Sequence, residues 1–196
     1  MINLLPADGI VDYYGQVLAP GEPTHYLDRL LQQIEWRNDE AVIFGRHITT
    51  KRKVAWYGDS DYAYAYSNIV RQALSWTEDL LALKDLTERL TAATYNSCLL
   101  NLYHDGDEGM AWHSDDEKEL AKEGAIASLS FGAERRFLFR HRHTKEQIEL
   151  SLAAGSLLVM RGATQTHWLH SLPKMKKVRT PRVNLTFRLI TRHRTT

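Results

Sequence analysis

Apolar residues recur at three- and four-residue steps in two places in the first half of the chain. Tyr26, Leu27, Leu30, Leu31 and Ile34 form one stripe, and the spacing predicts an amphipathic helix over 23–36 with Thr24 as its N-cap. Leu80, Leu81, Leu83, Leu86 and Leu90 form the second and predict a helix over 75–93. Between them, 41–48 reads as a strand, and 51–56 carries basic residues ahead of a Tyr57-Gly58-Asp59 turn. Tyr62, Tyr64 and Tyr66 alternate with Ala63 and Ala65, which puts three phenols on one face of an extended segment. After Asn96 the helical period gives way to short β-rich runs punctuated by Gly, Asp and Pro: 98–103, 125–131, 135–142, 147–152, 156–160, 166–172 and 182–190. Helical patterns in the first half and seven short strands after it predict an α+β fold: a jelly roll or β-sandwich core buttressed by N-terminal helices. No internal repeat and no Gly/Ser/Pro-rich linker interrupts the pattern. Residues 1–196 therefore read as a single domain, with about 1–95 as support and lid and about 96–190 as the β core.

Composition narrows the class. A chain of 196 residues, 43% hydrophobic and 25% charged, has the balance of a globular domain with a full core, which excludes disorder, collagen and a disulfide mini-scaffold. With 25 Lys and Arg against 24 Asp and Glu, attraction for nucleic acid has to come from clustering rather than from the total. The single cysteine, Cys98, closes no intrachain bridge and fits a reducing compartment. The opening MINLLPADGIVDYYG lacks the basic, apolar and small-residue succession of a signal peptide, and the charge-free stretch 90–103 is too short and polar to span a membrane. An intracellular protein is expected, cytoplasmic if bacterial and nuclear if eukaryotic.

Chemistry concentrates in the second half. His113 and Asp115 stand two apart in H-S-D, so an extended backbone turns both toward one ion. A third ligand from the 166–172 strand, His170 or His167, would complete the two-His, one-carboxylate facial set of non-haem Fe(II) oxygenases, which leaves positions open for co-substrate and O2. In PRVNLTFR, Arg182, Asn184, Thr186 and Arg188 share one strand face, and Val183, Leu185 and Phe187 the other. Two guanidinium groups turned inward with no acidic neighbour in sequence call for an anion, and a dicarboxylate would satisfy both. Asn101 and Tyr103 share a face of the 98–103 strand and offer an amide and a phenol.

Seven segments in order, NLYHDG (101–106), HSDDE (113–117), IASLSFG (126–132), RFLFRH (136–141), GSLLVM (155–160), HWLHSLPK (167–174) and PRVNLTFR (181–188), resemble the AlkB family of Fe(II)- and 2-oxoglutarate-dependent dioxygenases. The likeness runs from about residue 40 to 190 and is nearest to the alkylation-repair branch that acts on double-stranded DNA. It implies a double-stranded β-helix with His113, Asp115 and His170 as iron ligands. It also implies Arg188 on the far carboxylate of 2-oxoglutarate and Arg182 on the near one, with Asn101, Tyr103, Asn184 and Thr186 as further contacts. The implied reaction is oxidative N-demethylation of bases such as 1-methyladenine and 3-methylcytosine, releasing formaldehyde, succinate and CO2. The first 95 residues become a nucleotide-recognition lid. Tyr64 and Tyr66 would contact the extruded base, with Trp112 or His113 on its other side and Asp116 and, more weakly, Glu117 approaching it. Phe44, in I-F-G-R with Gly45 and Arg46, matches an aromatic wedge that fills the gap in a duplex. Arg46, Lys51, Arg52 and Lys53 would hold phosphates. Two further basic clusters, Arg135, Arg136, Arg140, Arg142 and Lys145, and Lys174, Lys176, Lys177 and Arg179, point to a DNA-facing side of a monomer. The same chemistry on RNA or a protein side chain, and a cupin-like metal-binding module without oxygenase activity, are the alternatives.

Overall fold

The computed structural model describes residues 2–43, 46–59, 63–66 and 69–191, of which 41–43, 46–48, 63–66 and 69–72 are described by backbone alone. Thirteen strands and three helices follow in the order β1 Ile10–Gln16, α1 Glu22–Gln33, β2 Arg37–Ile43, β3 Arg46–Gly58, β4 Ala63–Tyr66, β5 Ile69–Gln72, α2 Glu78–Thr91, β6 Ser97–Tyr103, β7 Met110–His113, β8 Ile126–Gly132, β9 Arg135–His141, β10 Gln147–Leu152, β11 Ser156–Arg161, α3 Thr164–His167, β12 Trp168–Leu172 and β13 Arg182–Arg188. A seven-stranded sheet runs β1-β11-β8-β13-β6-β3-β2 and a four-stranded sheet runs β10-β9-β12-β7, while β4 and β5 form a separate hairpin. Every paired strand in these sheets is antiparallel, as a jelly-roll core requires.

Parity along the central strands decides what each face of the large sheet does. Cys98, Leu100 and Leu102 of β6, Ala127, Leu129 and Phe131 of β8, Leu157 and Val159 of β11, and Val183, Leu185 and Phe187 of β13 pack into one apolar cluster with Leu30 of α1 and Leu80 and Leu83 of α2. The intervening residues face the small sheet. There Val11, Ile126, Leu158 and Met160 meet Phe137, Phe139, Leu152, Trp168 and Leu172 in a second cluster. The Cys98 thiol lies wholly within the first cluster, where burial pushes its pKa well above the ordinary thiol value.

Both expected helices form, with shifted ends. α1 begins after Gly21, in the left-handed region at φ 89°, and Pro23 occupies its first turn; Thr24, the expected cap, is inside the helix. α2 is capped by Thr77, whose Oγ1 accepts the Leu80 N–H at 3.3 Å. The expected strand 41–48 is resolved into two: β2 ends at Ile43, and the basic stretch 51–56 belongs to the thirteen-residue β3. The strand expected from 166 starts at Trp168, because 164–167 closes a helical turn. β1 was not anticipated, since a bulge at Tyr13–Gly15 breaks its two-residue period. Because β1, β2 and β3 are hydrogen-bonded into the large sheet, the expected division near residue 95 does not separate core from lid. Among the described residues, no helix is long and apolar enough to cross a membrane.

Gly132, at the end of β8 opposite Arg182, has φ +80°, and a Cβ there would stand 2.3 Å from the Pro181 carbonyl oxygen. Gly132→Ala is expected to cost about 1–3 kcal/mol, read as a lowered urea midpoint at unchanged slope.

Candidate active site

β7 and β12 are neighbours in the small sheet, and their register puts His170 directly opposite His113. The two imidazole centroids are 4.2 Å apart. Asp115 follows two residues beyond the end of β7, and one ligand atom each from His113, Asp115 and His170 lies within 4.8 Å of the others. His113 Nδ1 is 2.8 Å from the Ala111 carbonyl oxygen, which places the proton there and leaves the Nε2 lone pair facing Asp115 Oδ1 at 4.0 Å. His170 is stacked on Phe137 at 5.5 Å, and burial pushes its pKa down to about 3, against the opposing pull of Asp115. Burial alone would raise Asp115. Arg188, His170 and His113 outweigh it and hold the carboxyl below its usual range. The group therefore offers the neutral His170 imidazole, the Asp115 carboxylate and the Nε2 lone pair of His113, a donor set that suits a divalent transition metal.

His167, the competing third ligand, is elsewhere: it lies with Asp8 and His141 in a second cluster of potential ligands. His141 Nδ1 accepts the Thr144 N–H at 3.1 Å, so its proton sits on Nε2, 3.3 Å from Asp8. None of these three residues lines the cavity beside His113, Asp115 and His170.

A cavity of about 150 Å³ opens from the candidate triad between the sheets. Asn101 and Tyr103 of β6 and Arg182, Asn184, Thr186 and Arg188 of β13 line it, as strand parity requires. Ser128, Met110, Phe137, Met160 and Leu172 line it too. Sequence reading passed over Ser128 and Ser130, although both break the apolar run of β8 on one face. Ser130 Oγ accepts from Arg182 at 3.0 Å, and Ser128 donates to Asn184 Oδ1 at 2.8 Å. Asn184 Oδ1 also accepts from Arg182 at 2.7 Å, and its Nδ2 donates to Thr186 Oγ1 at 2.8 Å.

The two arginines differ in what balances them. Arg188 donates to Asp115 Oδ1 at 2.9 Å and lies 3.4 Å from Glu117 Oε1, so it stands at the metal end. Arg182 is six residues away, about 20 Å of extended chain. It is fully buried, and burial, helped by Arg135, pushes its pKa down to about 10. Its Nε is without a hydrogen-bond partner. Its guanidinium is one of three around the Tyr103 ring, at 5.6 Å, with Arg135 at 5.8 Å and Arg52 at 5.9 Å. Asp39 pairs with Arg52, and the carbonyls of Asp105, Glu108 and Pro173 satisfy Arg135. No carboxylate among the described residues pairs with Arg182. The remote end of the cavity thus keeps a buried cation that a carboxylate would balance. Relative to the candidate triad, Arg188 stands beside Asp115 and Arg182 at the cavity end away from it.

Several expected nucleic-acid contacts are relocated. Arg52 is buried, ion-paired to Asp39 and 2.8 Å from Met110 Sδ, so it is not available to a phosphate. Arg135 is equally internal. Trp112 lies 4.3 Å beneath the Arg140 guanidinium and is absent from the cavity lining, whereas His113 is part of it. Glu117 turns to Arg188; Asp116 is exposed on a neighbouring cleft of about 880 Å³. Arg136 is engaged by Glu149, and Arg142 donates to Ser114 Oγ at 2.7 Å. Lys174, Lys176, Lys177 and Arg179 do face solvent. Phe44, Gly45 and Tyr62 lie outside the described residues, and Arg46, Tyr64 and Tyr66 are located by backbone alone, in β3 and β4.

Comparison with known proteins completes the picture. The 2OG-Fe(II) oxygenase superfamily profile matches residues 11–188. The Mus musculus protein named DNA oxidative demethylase ALKBH2 is 40% identical over 197 residues, spanning 95% of this chain and 82% of that one. Its Homo sapiens namesake is 38% identical over 195 residues, spanning 94% and 75%. The Homo sapiens alpha-ketoglutarate-dependent dioxygenase alkB homolog 3 is 38% identical over 174 residues, spanning 84% of this chain and 60% of that one. Among solved structures, "The structure of OsALKBH1" superposes with a TM-score of 0.64 at 16% identity, covering 94% of this chain and 99% of that one, a likeness of fold. Profile, relatives and fold agree, and the chain belongs to the AlkB family of the 2OG-Fe(II) oxygenase superfamily, whose members work with Fe(II), 2-oxoglutarate and O2.

Proposed function

We propose that this protein is a DNA oxidative demethylase that reverses N-alkylation of bases such as 1-methyladenine and 3-methylcytosine. The observation that carries the reading is the meeting, in one cavity, of a two-His, one-Asp group with a buried, carboxylate-free Arg182 at the opposite end. A metal-binding module without oxygenase chemistry has no use for that second feature. The demethylase names of the mouse and human relatives supply the substrate class.

His113, Asp115 and His170 hold Fe(II). Arg182, with Tyr103 and Asn101 beside it, takes the far carboxylate of 2-oxoglutarate, while Arg188 fixes Asp115 and meets the near end. When bound, Fe(II) and 2-oxoglutarate activate O2: the co-substrate leaves as succinate and CO2, and one oxygen atom hydroxylates the N-methyl group, which then departs as formaldehyde. The protein contributes orientation and exclusion of water. Phe137, Leu172, Met110 and Met160 supply apolar cavity wall. His113, the more open flank of the triad with 30% of its side chain exposed, faces the entering base. Tyr64 and Tyr66 are contacts for the other face of that base. Phe44, next to Gly45, enters the duplex, and Arg46, Lys174, Lys176, Lys177 and Arg179 hold the phosphates. The enzyme acts as a monomer in the compartment that holds the DNA, the bacterial cytoplasm or the eukaryotic nucleus.

The test is formaldehyde and succinate release with Fe(II), ascorbate and 2-oxoglutarate on matched single- and double-stranded DNA, and on RNA, each carrying one 1-methyladenine. Lesion-dependent release from DNA, lost in His113→Ala, is expected; succinate without lesion repair would leave the cofactor assignment standing and sink the substrate. Arg182→Ala is expected to raise the 2-oxoglutarate concentration for half-maximal succinate formation about 10- to 100-fold, as loss of a charged hydrogen-bonded contact implies, while leaving metal affinity unchanged. An Arg182→Ala enzyme saturating at the parent's 2-oxoglutarate concentration would show that the far carboxylate binds elsewhere. Phe44→Ala should slow repair of duplex more than of single strands; equal slowing of both would rule out a wedge.

A further inference from the structure

Asp115 lies beyond β7, where no strand partner meets its main chain, yet it is buried. A buried backbone N–H needs an acceptor. It finds one fifty residues away in Gln165, whose Oε1 accepts the Asp115 N–H at 2.9 Å. The other end of the same amide is also held, since Gln165 Nε2 is 3.3 Å from Met160 Sδ. Gln165 sits in the single turn α3, and that turn is anchored in its own right. Thr164 Oγ1 donates to the Arg161 carbonyl at 2.6 Å and accepts the Ile10 N–H at 2.9 Å. β12 follows directly and carries His170. One short segment therefore supplies a candidate ligand and the acceptor that fixes another. Against this restraint pulls Arg188, which grips the Asp115 carboxylate at 2.9 Å.

We propose that Gln165 is a positioning residue of the metal centre, holding the main chain of Asp115 so that its carboxylate converges with His113 and His170 instead of yielding to Arg188. The inference rests on reading those three side chains as the metal site. Gln165 acts through a backbone atom and contributes no ligand. Its removal would therefore loosen the geometry of the ligand set while leaving its composition intact.

The experiment titrates Co(II), a spectroscopic probe in place of iron, into the metal-free full-length chain, without 2-oxoglutarate or DNA, following the visible absorption of the bound ion. Gln165→Met preserves length and charge but removes the acceptor, and it is expected to weaken Co(II) about 10- to 100-fold and alter the absorption band. Gln165→Glu restores an acceptor oxygen and is expected to recover most of the affinity. Far-UV circular dichroism and thermal melts of the metal-free proteins establish that each variant folds. Parental affinity and spectrum in Gln165→Met overturn the proposal, as does an equal loss in Gln165→Met and Gln165→Glu, which would make the acceptor oxygen irrelevant. A His170→Ala variant that binds Co(II) as tightly as the parent overturns the underlying reading of the triad, and is told apart by leaving the ligand variant itself unaffected.

Discussion

β13 is hydrogen-bonded along both edges, to β6 and β8, and all seven of its residues are buried, so each of its two faces has to find a partner within the protein. Alternation makes the division unavoidable. The apolar face of Val183, Leu185 and Phe187 closes the cluster under α1 and α2. The other face floors the cavity with polar side chains that bond one another in sequence, from Arg182 through Asn184 to Thr186, with the serines of β8 as lateral partners. A strand fixed this firmly also fixes the separation of its terminal cations. One is drawn to Asp115 of the candidate triad, and the other is left facing the interior at the far end.

Charge balance identifies the site better than charge content. The whole chain carries a formal net charge of +1, and three guanidinium groups gather around Tyr103. Two of these have internal compensation, one from a carboxylate and one from three carbonyls. The third, Arg182, donates to Ser130 Oγ and Asn184 Oδ1 but has no carboxylate partner among the described residues, and burial pushes its pKa down to about 10.

Parity carried most of what was legible in the sequence. It placed Arg182, Asn184, Thr186 and Arg188 on one face of a strand, Asn101 and Tyr103 on one face of another, and the apolar residues between them opposite. What parity cannot supply is the identity of a partner from another segment. Arg52 and Arg135 look like members of exposed basic runs, but the first is matched by Asp39 and the second by carbonyls of two loops, neither of which has a local pattern. Which of the two cavity arginines stands beside the triad was hidden for the same reason, since Asp115 meets the strand end seventy-three positions downstream of it only after folding. Short or irregular elements were also invisible: the bulge hides β1, four residues are too few to announce β7, and α3 is one turn set in a strand-like run. Gln165 had no signal at all, because its partner is a main-chain atom.

The position of Cys98 has a chemical consequence of its own. Thiolates are the protein groups most readily alkylated by soft electrophiles, and the agents that methylate DNA reach proteins in the same solution. The only sulfhydryl of this chain is sealed between the large sheet and the helices, and burial there keeps it protonated. A protein so constructed presents no cysteine nucleophile to the reagents whose lesions it would remove.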